Sequence, residues 1–275
     1  MLGERVCSEL SADTINAWIH KKVNDGLSVS YIRDIYAVFR TFLRFAERRH
    51  RFMLILDDVI LPKHEKRETS TICATEQKRL TDYLESHMDL TAFGILISLT
   101  MGLRIGELCG LRWEDVDFRS KCIHINRTVQ RICAPENGRR TKLVISSPKS
   151  STSRRIIAIP DRLMPYFRRF HGKSNCYLLT GTTKLTEPRT MQYRYKRVLK
   201  QAEVQPHHFH KLRHTFATNC MEHGFDIKTL SVVLGHSNVE ITMNRYLHPN
   251  LQYERRLMNQ VCDALACQSV SELLL

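Results

Sequence analysis

Residues 206–249 have the sequence PHHFHKLRHTFATNCMEHGFDIKTLSVVLGHSNVEITMNRYLHP, which predicts a run of helices separated by glycines. Glycines at 224 and 235 interrupt the helical spacing, and a glycine commonly ends a helix. In the first segment His210 and Arg213 are three residues apart and share a helix face, whereas Leu212 lies on the side predicted to face the core. The C-terminal part of the chain is therefore predicted to be helical.

Two stretches carry side chains that suit the binding of a phosphate group. In the quoted stretch, His236 follows the helix stop at Gly235, and Tyr246 comes 10 residues later. Residues 101–107, MGLRIGE, place Arg104 just after a glycine. An arginine carries a planar, permanently charged fork that matches two phosphate oxygens. The set suits a tyrosine that attacks a phosphodiester, because a phenol with a pKa of about 10 needs neighbouring cations and a base.

Each of these residues also has an ordinary structural interpretation. Arg104 could be a surface arginine paired with Glu107, and the histidine and tyrosine near the end of the stretch could serve packing alone. His210 and His214, four residues apart, could bind zinc from one helix face. However, the glutamate of an HExxH motif is absent between them, and Arg213 opposes a cation, so we expect no metal.

The order and spacing of these residues resemble the signature of the tyrosine recombinases, the phage integrase family. The family pattern is Arg…His-x-x-Arg…His…Tyr, and MGLRIGEL, HKLRHT and LGH followed by a tyrosine match it in this order. The spacing agrees as well, with 23 residues from Arg213 to His236 and 10 from there to Tyr246. The resemblance covers roughly residues 73–250, and the helical region before them is similar to the family's core-binding domain by pattern.

The resemblance implies a role for each matching residue. Arg104 and Arg213 would hold the nonbridging oxygens of the scissile phosphate, and His236 would add a third donor. His210 would assist proton removal from Tyr246, the nucleophile that forms a 3′-phosphotyrosyl link. No metal, nucleotide or other cofactor is implied, because the phosphotyrosine retains the bond energy until a 5′-hydroxyl of a second strand releases it.

Two further roles follow from the resemblance. The family has a lysine in a β-hairpin that protonates the leaving 5′-oxygen; Lys149 matches that place, and Lys142 is the competing candidate. Glu107 matches the family's acidic residue beside the first arginine, where it would orient that side chain. His214 receives no chemical role.

Basic residues around the predicted hairpin and along one predicted helix are candidates for contacts with DNA phosphates, which weaken steeply with salt. They are Arg139, Arg140, Lys142, Arg154, Arg155, Arg189, Arg194, Lys196, Arg197 and Lys200. Four arginines near the N-terminus fit either phosphate contacts or a solvated helix face: Arg40, Arg44, Arg48 and Arg49.

Composition and charge favour a partner that is a polyanion. The 275 residues include 42 Lys and Arg against 28 Asp and Glu, a net charge of +14. The excess is uneven, since residues 1–61 carry nine basic against eight acidic residues and residues 76–275 carry 30 against 18. A basic second half indicates a DNA-binding face there. The nine cysteines are scattered without a CxxC pair, which is typical of reduced thiols in a cytoplasmic protein. No signal peptide or membrane span is predicted.

The hydrophobic pattern predicts a mainly α fold in two domains. Helical spacing over residues 11–24 and 28–51 predicts a helical domain at 1–62, followed by a polar linker at 63–73. The family resemblance implies that this first domain is the core-binding domain. On the second helix, an aromatic stripe that includes Phe42 and Phe45 is predicted to face the core. Residues 74–275 then form the predicted catalytic domain, which ends in a tail at 251–275.

Within the second domain the pattern changes from helix to strand and back. Thr75 is the predicted N-cap of its first helix, and residues 89–99 predict a buried helix that Gly102 ends. Alternating apolar residues at 122–125, 143–145 and 155–159 predict one small three-stranded antiparallel sheet, and Asn137-Gly138 indicates a hairpin turn. The remaining segments return to helical spacing.

The family resemblance implies partners as well as chemistry. The partners would be double-stranded DNA recombination sites, a homotetramer of this chain assembled on DNA, and accessory DNA-bending or directionality proteins. The apolar segment Val261–Leu275 would dock on a neighbouring protomer, or else pack on its own domain. The chain is too short for the additional arm-binding domain that many integrases carry, so it is either a two-domain enzyme or a piece of a longer one.

Other functions fit part of the pattern. A type IB topoisomerase would use much the same chemistry as a monomer without a defined site, but the separate helical domain and the tail favour a recombinase. An inactive DNA-binding regulator would not need Tyr246. A metal-dependent nuclease would need clustered carboxylates, and Glu114, Asp115 and Asp117 are predicted to form only a surface turn. We therefore predict a site-specific recombinase that cuts and rejoins DNA to integrate or excise a phage or other mobile element.

Overall fold

The computed structural model describes residues 6–53, 56–63, 71–136, 139–147, 154–236 and 238–246, and residues 255, 258, 259 and 262. The chain divides into two compact units, Met1–Glu68 and Thr69–Leu275. The division falls inside the stretch 63–73 that the sequence predicts to be a linker. We describe each unit by itself.

The first unit is a pair of helices with a small core. A short 3₁₀ turn, Cys7–Glu9, precedes α1 (Ala12–Asn24) and α2 (Val29–His50). Ser11 and Ser28 cap the two helices, each accepting a hydrogen bond from the backbone N–H three residues on. The core combines residues from both helices and from the segment before them: Leu10, Ile15, Ile19, Ile32, Tyr36 and Leu43.

The aromatic stripe on α2 is only partly buried, which corrects the prediction that it faces the core as a whole. Phe42 and Phe45 are 53% and 60% exposed, and Val38 is 72% exposed. Among the described residues of this unit, α2 packs against α1 and the short 3₁₀ turn before it, and the core holds the face that carries Ile32 and Leu43. At 100° per residue, Phe42 and Phe45 fall outside that face.

The second unit is helix-rich. In chain order its helices are α3 (Ala74–Ser86), α4 (Leu90–Met101), α5 (Ile105–Gly110), α6 (Met164–Arg169), α7 (Pro188–Gln201), α8 (His210–Glu222), α9 (Ile227–Leu234) and α10 (Val239–Tyr246). Cys73, not Thr75, occupies the N-cap position of α3. Asp89 caps α4 by accepting from the backbone N–H of Ala92 at 2.7 Å, and Gly102 ends that helix.

Helix α4 is the centre of the second unit. Every residue from Ala92 to Leu99 is buried, and the helix contacts α3, α5, α7 and α8. A helix that is apolar on all sides is stable only when other elements surround it. The apolar sequence of α4 predicts such a buried helix, and the structure confirms it. Phe93 packs edge-on against Phe167 of α6, with ring centroids 4.9 Å apart. Among the described residues, no helix combines the length and the apolar character needed to cross a bilayer.

The strands form two antiparallel sheets, which corrects the prediction of one three-stranded sheet. Strands β1 (Val116–Asp117), β2 (Cys122–Ile125) and β5 (Arg155–Ala158) form one sheet in the order β1-β2-β5. Strands β3 (Thr128–Glu136) and β4 (Arg139–Ser146) form a separate hairpin. The predicted strand at 143–145 therefore pairs with β3, a strand that the sequence analysis did not identify. Local alternation marks a segment as a strand but does not determine which strand it pairs with, so it could not assign the strands to two sheets.

Candidate active site

The candidate site is built around the C-terminal end of α9. Arg213, on α8, is 2% exposed, and its guanidinium donates to the backbone carbonyls of Gly102 at 2.9 Å and of Leu234, the last residue of α9. Both carbonyls lie where a helix ends, so their oxygens are available to a side-chain donor. Arg213 thereby joins the end of α4 to the end of α9.

Arg104 reaches the same place from the start of α5. One terminal nitrogen of its guanidinium donates to the carbonyl of Gly235 at 3.0 Å, and the other to Glu107 Oε1 at 2.7 Å. The side chain of Arg104 remains 35% exposed. The two predicted phosphate-binding arginines, 109 positions apart in the sequence, therefore contact consecutive carbonyls, Leu234 and Gly235. His236 is the next residue.

Glu107 is the buried carboxylate that binds the arginines of the site. It is 3% exposed, and its other oxygen, Oε2, accepts from the backbone N–H of Arg104 at 2.9 Å. Burial alone would raise the pKa of Glu107. The hydrogen bonds and charge of Arg155, together with Arg104, outweigh burial and lower the pKa from 4.5 to about 2. Glu107 contacts Arg104, but its carboxylate is buried whereas the arginine is partly exposed, so the pair is not the surface pair that the structural interpretation describes.

Arg155 is not the exposed DNA-contact residue that the sequence predicts. Its side chain is 3% exposed, and its two terminal nitrogens donate to the two oxygens of Glu107 at 2.9 Å each. Its Nε donates to the carbonyl of Val233 at 2.6 Å. The charge pattern did not distinguish it from Arg154, which is exposed. The signal that could have done so is strand alternation, because Arg155 and Ile157 face the buried side of β5.

His236 is held by a residue that the sequence analysis missed. Its Nδ1 lies 2.7 Å from the hydroxyl of Thr242, which is buried at 1% exposure on α10. Tyr246 ends α10 one helical turn after Thr242, and its side chain lies outside the described residues. Positions i and i+4 share a helix face, so the spacing of four between this threonine and the tyrosine was the available signal.

His210 begins α8 and is exposed. Its ring packs edge-on against that of His214, with centroids 4.5 Å apart. His210 and Arg213 are one turn apart on the same helix, as their spacing predicts. His210 is thus the more accessible residue of the pair and Arg213 the buried one.

The other predicted DNA-contact residues have varied positions. Lys142, Arg154, Arg189, Lys196, Arg197 and Lys200 are exposed, and Arg194 is half-buried. Arg139 and Arg140 lie on β4, with side chains outside the described residues. Lys149 and most of the tail 251–275 also lie outside them, so the predictions made for these residues stay predictions.

One grouping of metal-ligating side chains occurs within the described ranges, on the β1–β2 pair. The ligand atoms of Asp117, Cys122 and His124 lie within 4.8 Å of one another. The carboxylate of Asp117 accepts from the backbone N–H groups of Arg119 and Ser120 at 2.8 and 3.0 Å, as a turn requires. Burial, helped by the charge of Asp117, raises the pKa of the Cys122 thiol, so the thiol stays protonated at neutral pH.

The acidic group at 114–117 is more than the predicted surface turn. Asp115 is buried, and its carboxylate accepts from the backbone N–H of Arg112 at 2.9 Å and from the side chains of Asn126 and Arg127 at 3.1 and 3.2 Å. It joins the segment before β1 to the segment between β2 and β3.

Comparison with known proteins decides the family. The family model described as the phage integrase family matches residues 70–252. The chain belongs to this family. The match contains Arg104, Glu107, His210, Arg213, His236 and Tyr246.

Individual phage integrase family members agree with the assignment. A tyrosine recombinase XerC-like protein of Caldanaerobacter subterraneus subsp. tengcongensis is 29% identical over 260 residues, which cover 85% of this chain and 66% of that protein. The Tn1549 transposon integrase in complex with a circular intermediate DNA has the same fold, with a TM-score of 0.73, 20% identity and coverage of 92% of this chain and 86% of that one. A λ integrase tetramer bound to a Holliday junction has a TM-score of 0.58 at 15% identity, with coverage of 88% and 67%.

Proposed function

We propose that this phage integrase family member is a site-specific DNA recombinase of a mobile element that cuts and rejoins strands through a 3′-phosphotyrosyl intermediate. The observation that carries the proposal is the convergence of Arg104, Arg213 and His236. They come from three separate segments and meet where α9 ends. Two guanidinium groups and an imidazole at one point suit a phosphate whose oxygens gain charge in the transition state.

The chemical step uses the tyrosine that follows this cluster. The hydroxyl oxygen of Tyr246 attacks the scissile phosphorus, so the tyrosyl O–P bond forms as the P–O5′ bond breaks. The tyrosine proton passes to His210, and Lys149, or Lys142 in its place, protonates the leaving 5′-oxygen. Arg104 and Arg213 donate to the nonbridging oxygens. A 5′-hydroxyl of another strand then reverses the step and joins the strands, without metal or nucleotide.

His236 is proposed to donate to the phosphate from the ring nitrogen opposite Thr242. With Nδ1 2.7 Å from the threonine hydroxyl, the ring orientation is set and Nε2 is the nitrogen proposed to bind the phosphate. Arg213 is 2% exposed, so its contact with a phosphate requires the groups that cover it to shift when DNA binds. The 35% exposure of Arg104 makes it the arginine that DNA reaches first.

The wider assembly is proposed by analogy with the relatives. The first unit would be the core-binding domain and the second the catalytic domain, with DNA phosphates contacted by the exposed residues Lys142, Arg154, Arg189, Lys196, Arg197 and Lys200, by Arg194, and by Arg139 and Arg140. A homotetramer on DNA is supported by the λ integrase tetramer bound to a Holliday junction. The tail 251–275 is proposed to join its protomers. Action on the DNA of a mobile element is supported by the Tn1549 transposon integrase in complex with a circular intermediate DNA. Integration or excision, with accessory DNA-bending or directionality proteins, is proposed from the family resemblance alone. The cytoplasm is the expected location.

The test is direct trapping of the tyrosyl intermediate. Duplexes bound by the Tyr246→Phe variant are first selected from a random library, which requires no knowledge of the natural site. Nicked versions of the selected duplex are then incubated with the wild-type protein. The nick is used because loss of the short strand beyond it prevents rejoining, and EDTA is present so that no divalent metal takes part. We expect a protein–DNA adduct that survives SDS, and no adduct from Tyr246→Phe.

Three outcomes separate the alternatives. An adduct that persists in Tyr246→Phe would overturn the assignment of the nucleophile. Binding without any adduct from wild type would identify an inactive DNA-binding protein. Relaxation of supercoiled plasmids that lack the selected site, without joining of two duplexes that carry it, would instead identify a topoisomerase.

A further inference from the structure

Arg155 is a buried charge with three hydrogen bonds that lead to the proposed site. It is the first residue of β5, with a side chain only 3% exposed. A buried guanidinium is tolerated only when its donors are matched, since desolvation of the charge costs several kcal/mol. Here Nη1, Nη2 and Nε all have acceptors, two on Glu107 and one at Val233.

These contacts form a closed ring of hydrogen bonds. Arg155 binds both oxygens of Glu107, which binds the backbone and the side chain of Arg104. Arg104 in turn donates to the carbonyl of Gly235. The Nε of Arg155 donates to the carbonyl of Val233, two residues before Gly235. The ring therefore joins β5, α5 and the end of α9.

The close approach at Gly235 shows how tightly Arg155 fits. A Cβ placed on Gly235 would lie 3.0 Å from both Cδ and Nη1 of Arg155. The glycine has φ +62°, a conformation that L side chains rarely adopt. Arg155 thus lies directly against the backbone that presents His236.

We propose that Arg155 is a positioning residue that holds Arg104, through Glu107, and His236, through the end of α9, in register for the scissile phosphate. The inference rests on the proposed function for its catalytic consequence, although the ring itself exists in the free protein. With its side chain 3% exposed, Arg155 is proposed to act through Glu107 and the end of α9 and not by contact with DNA. A lysine cannot replace it, because a single ammonium cannot donate in parallel to both Glu107 oxygens and also reach Val233.

Two variants of the full chain, Arg155→Gln and Arg155→Lys, test the proposal. Arg155→Lys keeps the positive charge beside Glu107 and is the variant expected to fold if Arg155→Gln does not. The control is Arg168→Gln, which removes an exposed arginine on α6. Urea unfolding and circular dichroism establish that each variant is folded before it is assayed.

The first readout is adduct formation on the selected nicked duplex. We expect both variants to form adduct about 100-fold more slowly, the loss typical of an ångström-scale misplacement, with little change in the dissociation constant for DNA. As the pH is lowered from 7 to 5, every variant should lose rate because His210, the proposed proton acceptor, becomes protonated. The rate of Arg155→Gln relative to wild type should fall further over this range, because Glu107 loses the arginine that contributes most to keeping it ionised; the relative rate of Arg155→Lys should stay constant. A wild-type rate and pH profile in both variants would overturn the proposal.

The second readout does not depend on activity. In ¹⁵N-arginine NMR spectra of the free protein, the guanidinium N–H signals of Arg104 should be slow to exchange in wild type and Arg168→Gln, and should broaden or vanish in both Arg155 variants. If wild type forms no adduct at all, the proposed function fails while these spectra still decide the positioning role. Unchanged Arg104 signals would refute that role whatever the adduct assay shows.

Discussion

At the scale of the residue, Glu107 contributes more to the free energy of unfolding than an exposed ion pair would. Two arginines surround a carboxylate that burial alone would neutralise, and the pKa falls to about 2. A folded-state pKa below the ordinary value of 4.5 means that the contribution is complete above pH 4.5 and is lost as the pH falls toward about 2. The shift corresponds to about 3 kcal/mol of unfolding free energy.

Replacement of this carboxylate therefore has a predicted size and pH dependence. Glu107→Gln should lower the free energy of unfolding at pH 7 by about 3 kcal/mol, because an amide leaves two arginines without a counter-charge. The difference from wild type should narrow as the pH falls through 4.5 toward 2. Urea unfolding at several pH values measures it. Glu203→Gln, at an exposed position, serves as the control and should match wild type within experimental error; a constant gap for Glu107→Gln would contradict the pKa assignment.

At the scale of the element, the end of α4 is the place where α4 contacts both Phe216 and Arg213 of α8. Gly102 has φ +69°, and a Cβ there would lie 2.4 Å from Cδ1 of Phe216 on α8. The carbonyl of the same glycine accepts from Arg213. One residue thus ends a buried helix, admits an aromatic ring and holds a candidate catalytic arginine.

A pair of glycine variants separates backbone strain from packing. Gly102→Ala should destabilise the protein by about 3 kcal/mol, the sum of the left-handed conformation and an overpacked contact. Gly224→Ala, at φ +85° just past the end of α8 with nothing within 4 Å of its Cβ, should cost only about 1 kcal/mol. Denaturant unfolding compares the two variants. Equal losses would mean that Phe216 moves aside freely and that the close approach carries no energy.

At the scale of the whole molecule, the charge distribution predicts how the protein meets DNA. The first unit is nearly neutral, whereas residues 76–275 carry 30 basic against 18 acidic residues. Exposed basic residues line α7, and phosphate contacts of this kind dominate the salt dependence of binding.

The salt dependence of DNA binding is a measurable consequence. A double variant, Lys196→Ala with Lys200→Ala, should reduce the slope of log affinity against log salt concentration by about 2, close to one for each lost contact. Arg119→Ala, which removes an exposed arginine from the β1–β2 turn, should leave the slope unchanged. Fluorescence anisotropy over a range of salt concentrations gives the values. An equal effect of the control would indicate general charge attraction rather than contacts along α7.

The local signals in the sequence predicted much of this molecule because they act over a few residues. Asp89 and Gly102 mark the ends of a helix through a side-chain cap and a left-handed turn, and both effects are complete within one helical turn. The order Arg104, His210, Arg213, His236, Tyr246 identified the family, since its spacing alone matches the motif.

The tertiary structure decided what no local pattern contains. Arg155 and its exposed neighbour Arg154 have the same charge and nearly the same sequence context, yet only Arg155 points inward and meets Glu107, 48 residues away. The hydrogen bond from Arg104 to Gly235 spans 131 residues. Such pairings depend on how α4, α8, α9 and β5 pack, because the burial that makes an ion pair strong arises only when these elements come together. The sequence by itself therefore determined the family and predicted the reactive residues, and the packing determined which arginine is buried behind them.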